Sequence, residues 1–157
     1  MDVELQFRVQ ALLARYAQVI DDDLLEEWPA FFVETGRYLV TTDENFRRGL
    51  PLGLMYATSQ AMLRDRIRSL REANVYEAQR YRHITGAPLI SPSDGGLLRV
   101  QSNFLVARIM QTGETTIFAT GRYEDRLVAE GDGRLLFAER IVVLDSRQID
   151  TLLAIPL

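Results

Sequence analysis

Between Leu5 and Ile20 the apolar residues fall at Leu5, Val9, Leu12, Leu13, Tyr16, Ala17 and Ile20. Residues three and four apart share a helix face, so this spacing predicts one amphipathic helix with a single apolar stripe. Asp21, Asp22 and Asp23 end the stripe. Asp23, with Glu26 three residues later, resembles a capping box that opens a short second helix, "LLEEW", ahead of Pro29. "GRYLVTT" (36–42) reads as a first strand and "DENFRRGLPLG" (43–53) as an irregular loop. A second long helix is predicted over 58–76, with Leu63, Ile67 and Leu70 toward the core and Arg64, Arg68 and Arg71 on a neighbouring face.

Past residue 80 the period shortens. "RHITGAPLI" (82–90), "LLRVQSNFLVARIM" (97–110), "TTIFATGRYEDRLV" (115–128) and "RLLFAERIVVLD" (134–145) are strand-like. The separators "SPSDGG", "QTGE" and "AEGDG" all carry Gly, and two carry Asp-Gly, a strong hairpin signal. A two-residue turn at Asp132-Gly133 pairs Gly131 with Arg134 and sets Arg126 opposite Glu139, a favourable cross-strand pair. "IDTLLAIPL" (149–157) closes the chain as a last apolar strand or tail. Helices first and strands afterwards is the α+β order. The expectation is one domain over 1–157, with N-terminal helices packed on a strongly curved antiparallel sheet to form a cone with a pocket inside.

At 157 residues such a domain buries roughly two-thirds of its unfolded surface and needs no disulfide or metal staple. Nor could it have a disulfide, because the chain contains no cysteine. That also removes a thiolate zinc site and a cysteine nucleophile. Acids and other charges run through "MDVELQFRVQALLARYAQ", unlike a secretory signal, and no run reaches the ~18 apolar residues of a membrane span. The expected location is the cytoplasm. A net charge of −4 argues against nucleic acid as a partner, since phosphates need a basic surface. Every basic residue is arginine, which suits interfacial ion pairs through its planar fork of donors and is also what a GC-rich coding bias produces.

Candidate chemistry is sparse. No phosphate-binding glycine loop and no nucleophile elbow occurs. His83 is the single histidine, so no His-pair metal site forms within one chain. Asp21, Asp22, Asp23, Asp125 and Asp145 are its possible carboxylate partners, and spacing places none of them beside it. His83 is therefore open to three readings: a packed structural residue, a general base, or a ligand sharing a metal site with carboxylates. The three adjacent aspartates are open to capping and solvation or to a metal, and neighbours in sequence do not converge on one ion without a shaped loop.

"RYRHITGAP", "RIMQTGETTIFATGRYEDRL", "RLLFAERIVVLDS" and "YAQVIDDDLLEEWPAFFVETGRYLV" together resemble the small (β) subunit of Rieske-type aromatic-ring-hydroxylating dioxygenases, from about residue 10 onward. "SLREANVYEAQRYRHITGAP", "RIMQTGET" and "DTLLAIPL" are most similar to terephthalate dioxygenase small subunits, and "ENFRRGLPL" to those of salicylate hydroxylases. Many relatives carry Asn shortly after the Arg-His pair, where this chain has "ITGAP". The resemblance implies a fold like nuclear transport factor 2 and scytalone dehydratase. It implies a large (α) partner subunit in a mixed hexamer of three large and three small chains, with β–β contacts and a reductase reached through the large subunit. It also implies a Rieske [2Fe-2S] cluster and mononuclear Fe(II), both on the partner. Those centres need at least four histidines and two cysteines, which this chain lacks. No catalytic, cofactor or metal residue is expected here.

In that setting Trp28, Arg64, Arg68, Arg71, Tyr81, Arg82 and His83 are the candidate subunit-interface residues. Core packing is the alternative for Trp28, Phe31 and Phe32, and local pairing with Asp65, Glu72 and Glu77 for the arginine face. The competing function is a free-standing dehydratase or isomerase using His83 as general base. A third is a small-molecule-binding module using the cone as its pocket.

Overall fold

The N-terminal stripe folds as helix α1, Val3–Asp21, in a computed structural model that describes residues 2–50, 53–72, 78–147 and 155–157. The Asp2 carboxylate accepts the Leu5 N–H at 3.0 Å and caps its start. Val9, Leu13, Tyr16, Val19 and Ile20 are its buried face.

The predicted capping box does not form. A 3₁₀ helix runs over Leu25–Phe31 with Leu24 at its cap position and no side-chain cap bond. Asp23 has a left-handed φ of 59°, and Asp23 and Glu26 both bind Arg71 instead. Charge-assisted bonds to a guanidinium are roughly twice as strong as neutral ones, so the carboxylates serve the arginine.

Strand β1, Phe32–Thr42, begins ahead of the predicted Gly36. Its pairing shifts between Phe32 and Arg37, and a side chain at Gly36 would sit 2.9 Å from the Val33 carbonyl oxygen. The glycine permits the irregularity and hides the strand's continuation from a sequence reading. The expected loop that follows contains helix α2, Asp43–Arg47. Thr42 accepts the Asn45 N–H at 3.2 Å, and Arg47 reaches back to Asp43 at 2.8 Å. These local bonds offset the cost of starting so short a helix.

Strand β2 (Met55–Ala57) was not predicted, whereas helix α3 (Gln60–Glu72) was, and it buries Leu63, Ile67 and Leu70 as expected. The predicted continuation of that helix through Tyr76, with Glu77, lies outside the described residues, as does most of "IDTLLAIPL". Ile155–Leu157 are described and buried. The remaining strands are β3 (Gln79–Thr85), β4 (Leu89–Pro92), β5 (Leu98–Met110), β6 (Thr115–Ala129) and β7 (Leu135–Leu144).

The sheet runs β2-β1-β7-β6-β5-β3, with β4 also paired to β5. It is mixed rather than wholly antiparallel, because β1 lies parallel to β7. A parallel neighbour needs a long crossover, and the chain between β1 and β7 supplies one.

The β6–β7 hairpin reaches the predicted register by a different route. Glu130 and Arg134 close a three-residue loop, with the Glu130 N–H on the Arg134 carbonyl at 2.8 Å and Gly133 at φ 85°. The longer loop slips the pairing by one, so Leu127 faces Phe137. A bulge at Ala138 restores it, and Arg126 stands opposite Glu139.

α1 and α3 cover the concave face of this curved sheet, and the cone is filled. Trp28, Phe32, Tyr38, Tyr16 and Phe137 meet edge-on or tilted at 5.0–6.1 Å between ring centres. Trp28 Nε1 donates to the Tyr16 hydroxyl at 3.0 Å, and Tyr16 and Tyr38 donate to the Leu157 carbonyl oxygen at 2.9 and 3.0 Å. Side chains thus occupy the space expected for an internal pocket. Among the described residues no helix is long and apolar enough to cross a membrane.

Candidate functional site

His83 points inward from the middle of β3 with its side chain fully shielded, and its partner is Asp21, the last residue of α1. The ring Nδ1 lies 2.6 Å from Asp21 Oδ1, and the His83 backbone N–H donates to Oδ2 at 2.9 Å. An ionised carboxylate only accepts, so this pairing places a hydrogen on Nδ1. Among the described residues β3 is a sheet edge, where every second N–H points away from its one neighbour. The carboxylate takes one of them, tying the helix end to the strand edge. Arg82 adds a long contact to Oδ2 at 3.9 Å.

This is a base with an orienting acid, the first two parts of an acid–base site. Reach to a substrate is the third. Nε2 is buried and has no hydrogen-bond partner, and the ring beside it is Tyr81 at 6.2 Å. With no exposed ring atom, His83 acts here as a latch between α1 and β3.

The second inward polar pair is Arg140 with Asp125, bonded bidentately at 2.9 and 3.0 Å and sealed from solvent. The guanidinium carbon lies 3.6 Å from the Tyr123 ring centre, 4.2 Å from Tyr16 and 4.5 Å from Phe137. Burial pushes the Asp125 carboxyl above its usual range, with Arg140 opposing. Burial also works against the Arg140 cation, but the Asp125 carboxylate opposes it and the group is raised. The two directions pull the proton opposite ways. The bidentate geometry decides for two charged partners, since a protonated acid would forfeit one of its two accepting oxygens. Burial raises the Tyr16, Tyr38 and Tyr123 phenols, leaving them neutral. Sequence reasoning named Asp125 as a candidate acid and passed over Arg140. The signal was present: the register that sets Arg126 opposite Glu139 also sets Asp125 opposite Arg140.

The seven candidate interface residues do not share one surface. Trp28 lies wholly in the core, the alternative left open for it, and Tyr81 is buried and stacked on Phe118 at 5.2 Å. Arg71 ties the end of α3 to Asp23 and Glu26 with bonds of 2.8–3.2 Å. Arg64 is exposed and bonded to Gln60, while Arg68 makes a 3.9 Å contact with Asp65. Arg82 stands on the outer sheet face, 55% exposed.

An open groove of about 600 Å³ is lined by Asp21–Asp23, Gln79–Tyr81 and Ile155. Among the described residues no three His, Asp or Glu side chains gather to hold a metal. Asp21 is engaged by His83 and Asp23 by Arg71. One histidine, bonded through Nδ1, and no cysteine do not fit a Rieske cluster or a histidine-bound iron.

Comparison with known proteins supplies what the geometry leaves out. Residues 15–151 match the family described as "Ring hydroxylating beta subunit". Subunit beta 2 of the terminal oxygenase component of terephthalate 1,2-dioxygenase from a Comamonas species is 47% identical over 97% of this chain and 98% of its own. The anthranilate 1,2-dioxygenase small subunit of Burkholderia cepacia is 38% identical over 99% and 96%. Among solved structures, a chain from Novosphingobium aromaticivorans named as an aromatic-ring-hydroxylating dioxygenase beta subunit superposes with a TM-score of 0.88 at 35% identity, covering 98% of this chain and 97% of that one. A second, ActVI-ORFA of Streptomyces coelicolor, shares the fold at 20% identity and a TM-score of 0.72, over 91% and 98%. The chain belongs to the ring-hydroxylating dioxygenase beta-subunit family, the small subunits of that enzyme class.

Proposed function

We propose that this chain supports a Rieske non-haem iron dioxygenase that cis-dihydroxylates an aromatic carboxylate, with terephthalate the first substrate to test. The observation that carries the reading is near-full-length identity of 47% to terephthalate dioxygenase beta subunits. The [2Fe-2S] cluster and the mononuclear iron belong to the large subunit, three copies of which join three of this chain in the cytoplasm. Electrons arrive from a reductase that meets the large subunit. The chain acts as one domain over 1–157, and Arg64, Arg68 and Arg82 have the exposure that a partner contact requires.

The test is expression of the chain alone and then with its large subunit, followed by size-exclusion chromatography, iron analysis and oxygen uptake. The expected result is a colourless lone chain that moves into a brown, iron-bearing complex oxidising terephthalate. A soluble chain that ignores the large subunit would overturn the reading. A complex oxidising anthranilate or salicylate but not terephthalate would overturn the substrate.

A further inference from the structure

Ile155–Leu157 is buried yet lies in no helix or strand. Side chains hold its backbone. The Leu157 carbonyl oxygen accepts from the Tyr16 hydroxyl at 2.9 Å and from the Tyr38 hydroxyl at 3.0 Å. The Leu157 N–H donates back to the Tyr38 oxygen at 3.0 Å. Among the described residues no backbone group bonds to the segment. Ile155 also lines the open groove beside Asp21–Asp23, so one end of the segment borders solvent.

The groups that grip Leu157 are themselves held without it. Trp28 Nε1 donates to the Tyr16 hydroxyl at 3.0 Å, Trp28 packs edge-on against Tyr38 at 5.0 Å, and Tyr16 packs against Phe137 at 5.5 Å. These residues come from α1, the 3₁₀ helix, β1 and β7, and removing the segment breaks none of those contacts. What it removes is the acceptor. Burial raises both phenols and keeps them neutral, so each has a hydrogen to donate. A buried donor left without an acceptor costs more than the net worth of the bond it lost. The socket therefore requires an occupant with an oxygen where the two phenols converge and an apolar body the size of a leucine side chain.

We propose that Tyr16, Trp28 and Tyr38 form a carbonyl-binding site, and that Ile155–Leu157 is a strap that fills it and leaves it without unfolding the rest of the chain. The external ligand class is a small branched aliphatic ketone, which joins a carbonyl to a leucine-like body. With the strap docked, the site is closed to such molecules.

Two measurements on the full chain test this. In hydrogen exchange of the wild type, the protection factor of the Leu157 amide should be at least about a hundredfold lower than those at the centres of β6 and β7, because strap opening is local. Equal protection overturns the proposal. The second is thermal melting of wild type and Leu157→Lys with and without 5-methyl-2-hexanone. An ammonium cannot accept the phenol hydrogens, and Arg140, 4.2 Å from the Tyr16 ring centre, repels it. At about 10 mM the ketone should raise the melting temperature of Leu157→Lys by about 3 °C and that of the wild type by less than about 1 °C. Adding Tyr38→Phe to Leu157→Lys should weaken ketone binding about fivefold. Leu157→Ala loosens the strap more gently and gives the same comparison should Leu157→Lys fail to fold. A folded variant that the ketone does not stabilise overturns the proposal. So does an equal rise in the wild type, or a rise that Tyr38→Phe leaves unchanged, since either places the ketone outside the socket.

Discussion

Removing the Arg140 guanidinium would leave the Asp125 carboxylate sealed from water with both of its charge-assisted bonds gone. Breaking a buried pair in this way costs about 3–5 kcal/mol, because the remaining charge is uncompensated. Arg140→Met should therefore lower the urea midpoint sharply. Arg140→Met with Asp125→Leu should recover most of the loss, since well-packed apolar replacements of buried pairs are often neutral. A double variant that stays as far below wild type as Arg140→Met alone would show that the pair is net stabilising. Legibility differed between the two buried polar pairs. Asp125 and Arg140 are readable in advance from hairpin register, because both follow from one turn. Asp21 and His83 are not, since one ends a helix, the other lies on a strand 62 residues later, and only tertiary packing joins them. The arginine face was half legible. Its i, i+4, i+7 spacing located Arg64, Arg68 and Arg71 on α3, but nothing local indicated that Arg71 turns back to Asp23 and Glu26.

That link joins two elements, and it titrates. The Arg71 hydrogen bond holds the Glu26 carboxyl below its ordinary value of 4.5, against a smaller opposing effect of burial. A carboxyl lowered in the folded state contributes stability that is full above the unfolded value and lost as pH falls through the folded one. The melting-temperature gap between wild type and Arg71→Met should be widest near neutral pH and narrow between about pH 5 and 3. Asp43 is lowered by Arg122 and Asp132 by Arg134, but both pairs are present in either protein, so they cancel in the comparison. A gap that does not change with pH would assign Arg71 a packing role alone. Among the elements, α1, α3 and the strands from β5 onward were visible because each carries a long, regular period. α2 was hidden by brevity, although Thr42 and Asn45 were its cap signal. The second helix was expected to stop before Pro29 but runs as a 3₁₀ helix through it to Phe31, and it was given the wrong cap, because the Asp23-to-Glu26 spacing suits a capping box and an arginine chelate equally.

For the whole molecule, element order was sufficient for the α+β class and the helix-covered curved sheet. It could not supply the parallel β1–β7 pairing, which depends on which edge the returning chain meets. Nor could it show that the cone is occupied, because aromatic residues line a pocket or fill one with the same spacing. The filled interior has a measurable counterpart. A site with a Kd near 10 μM would raise stability by about 2.7 kcal/mol at 1 mM ligand. Terephthalate or benzoate at that concentration should leave the melting temperature of the lone chain within about 1 °C of its unliganded value. A larger rise would reopen the binding-module reading.

The Asp21 carboxylate on the His83 N–H has one more effect. An open strand edge is a template on which further chains can polymerise. Here one rim of the sheet is occupied by a carboxylate from the protein's own helix, and the described part of the other, β2, is three residues long. Fibril-like growth by strand addition has little to start from at either rim. Asp21→Ala would unmask the β3 rim and leave the chain prone to open-ended aggregation.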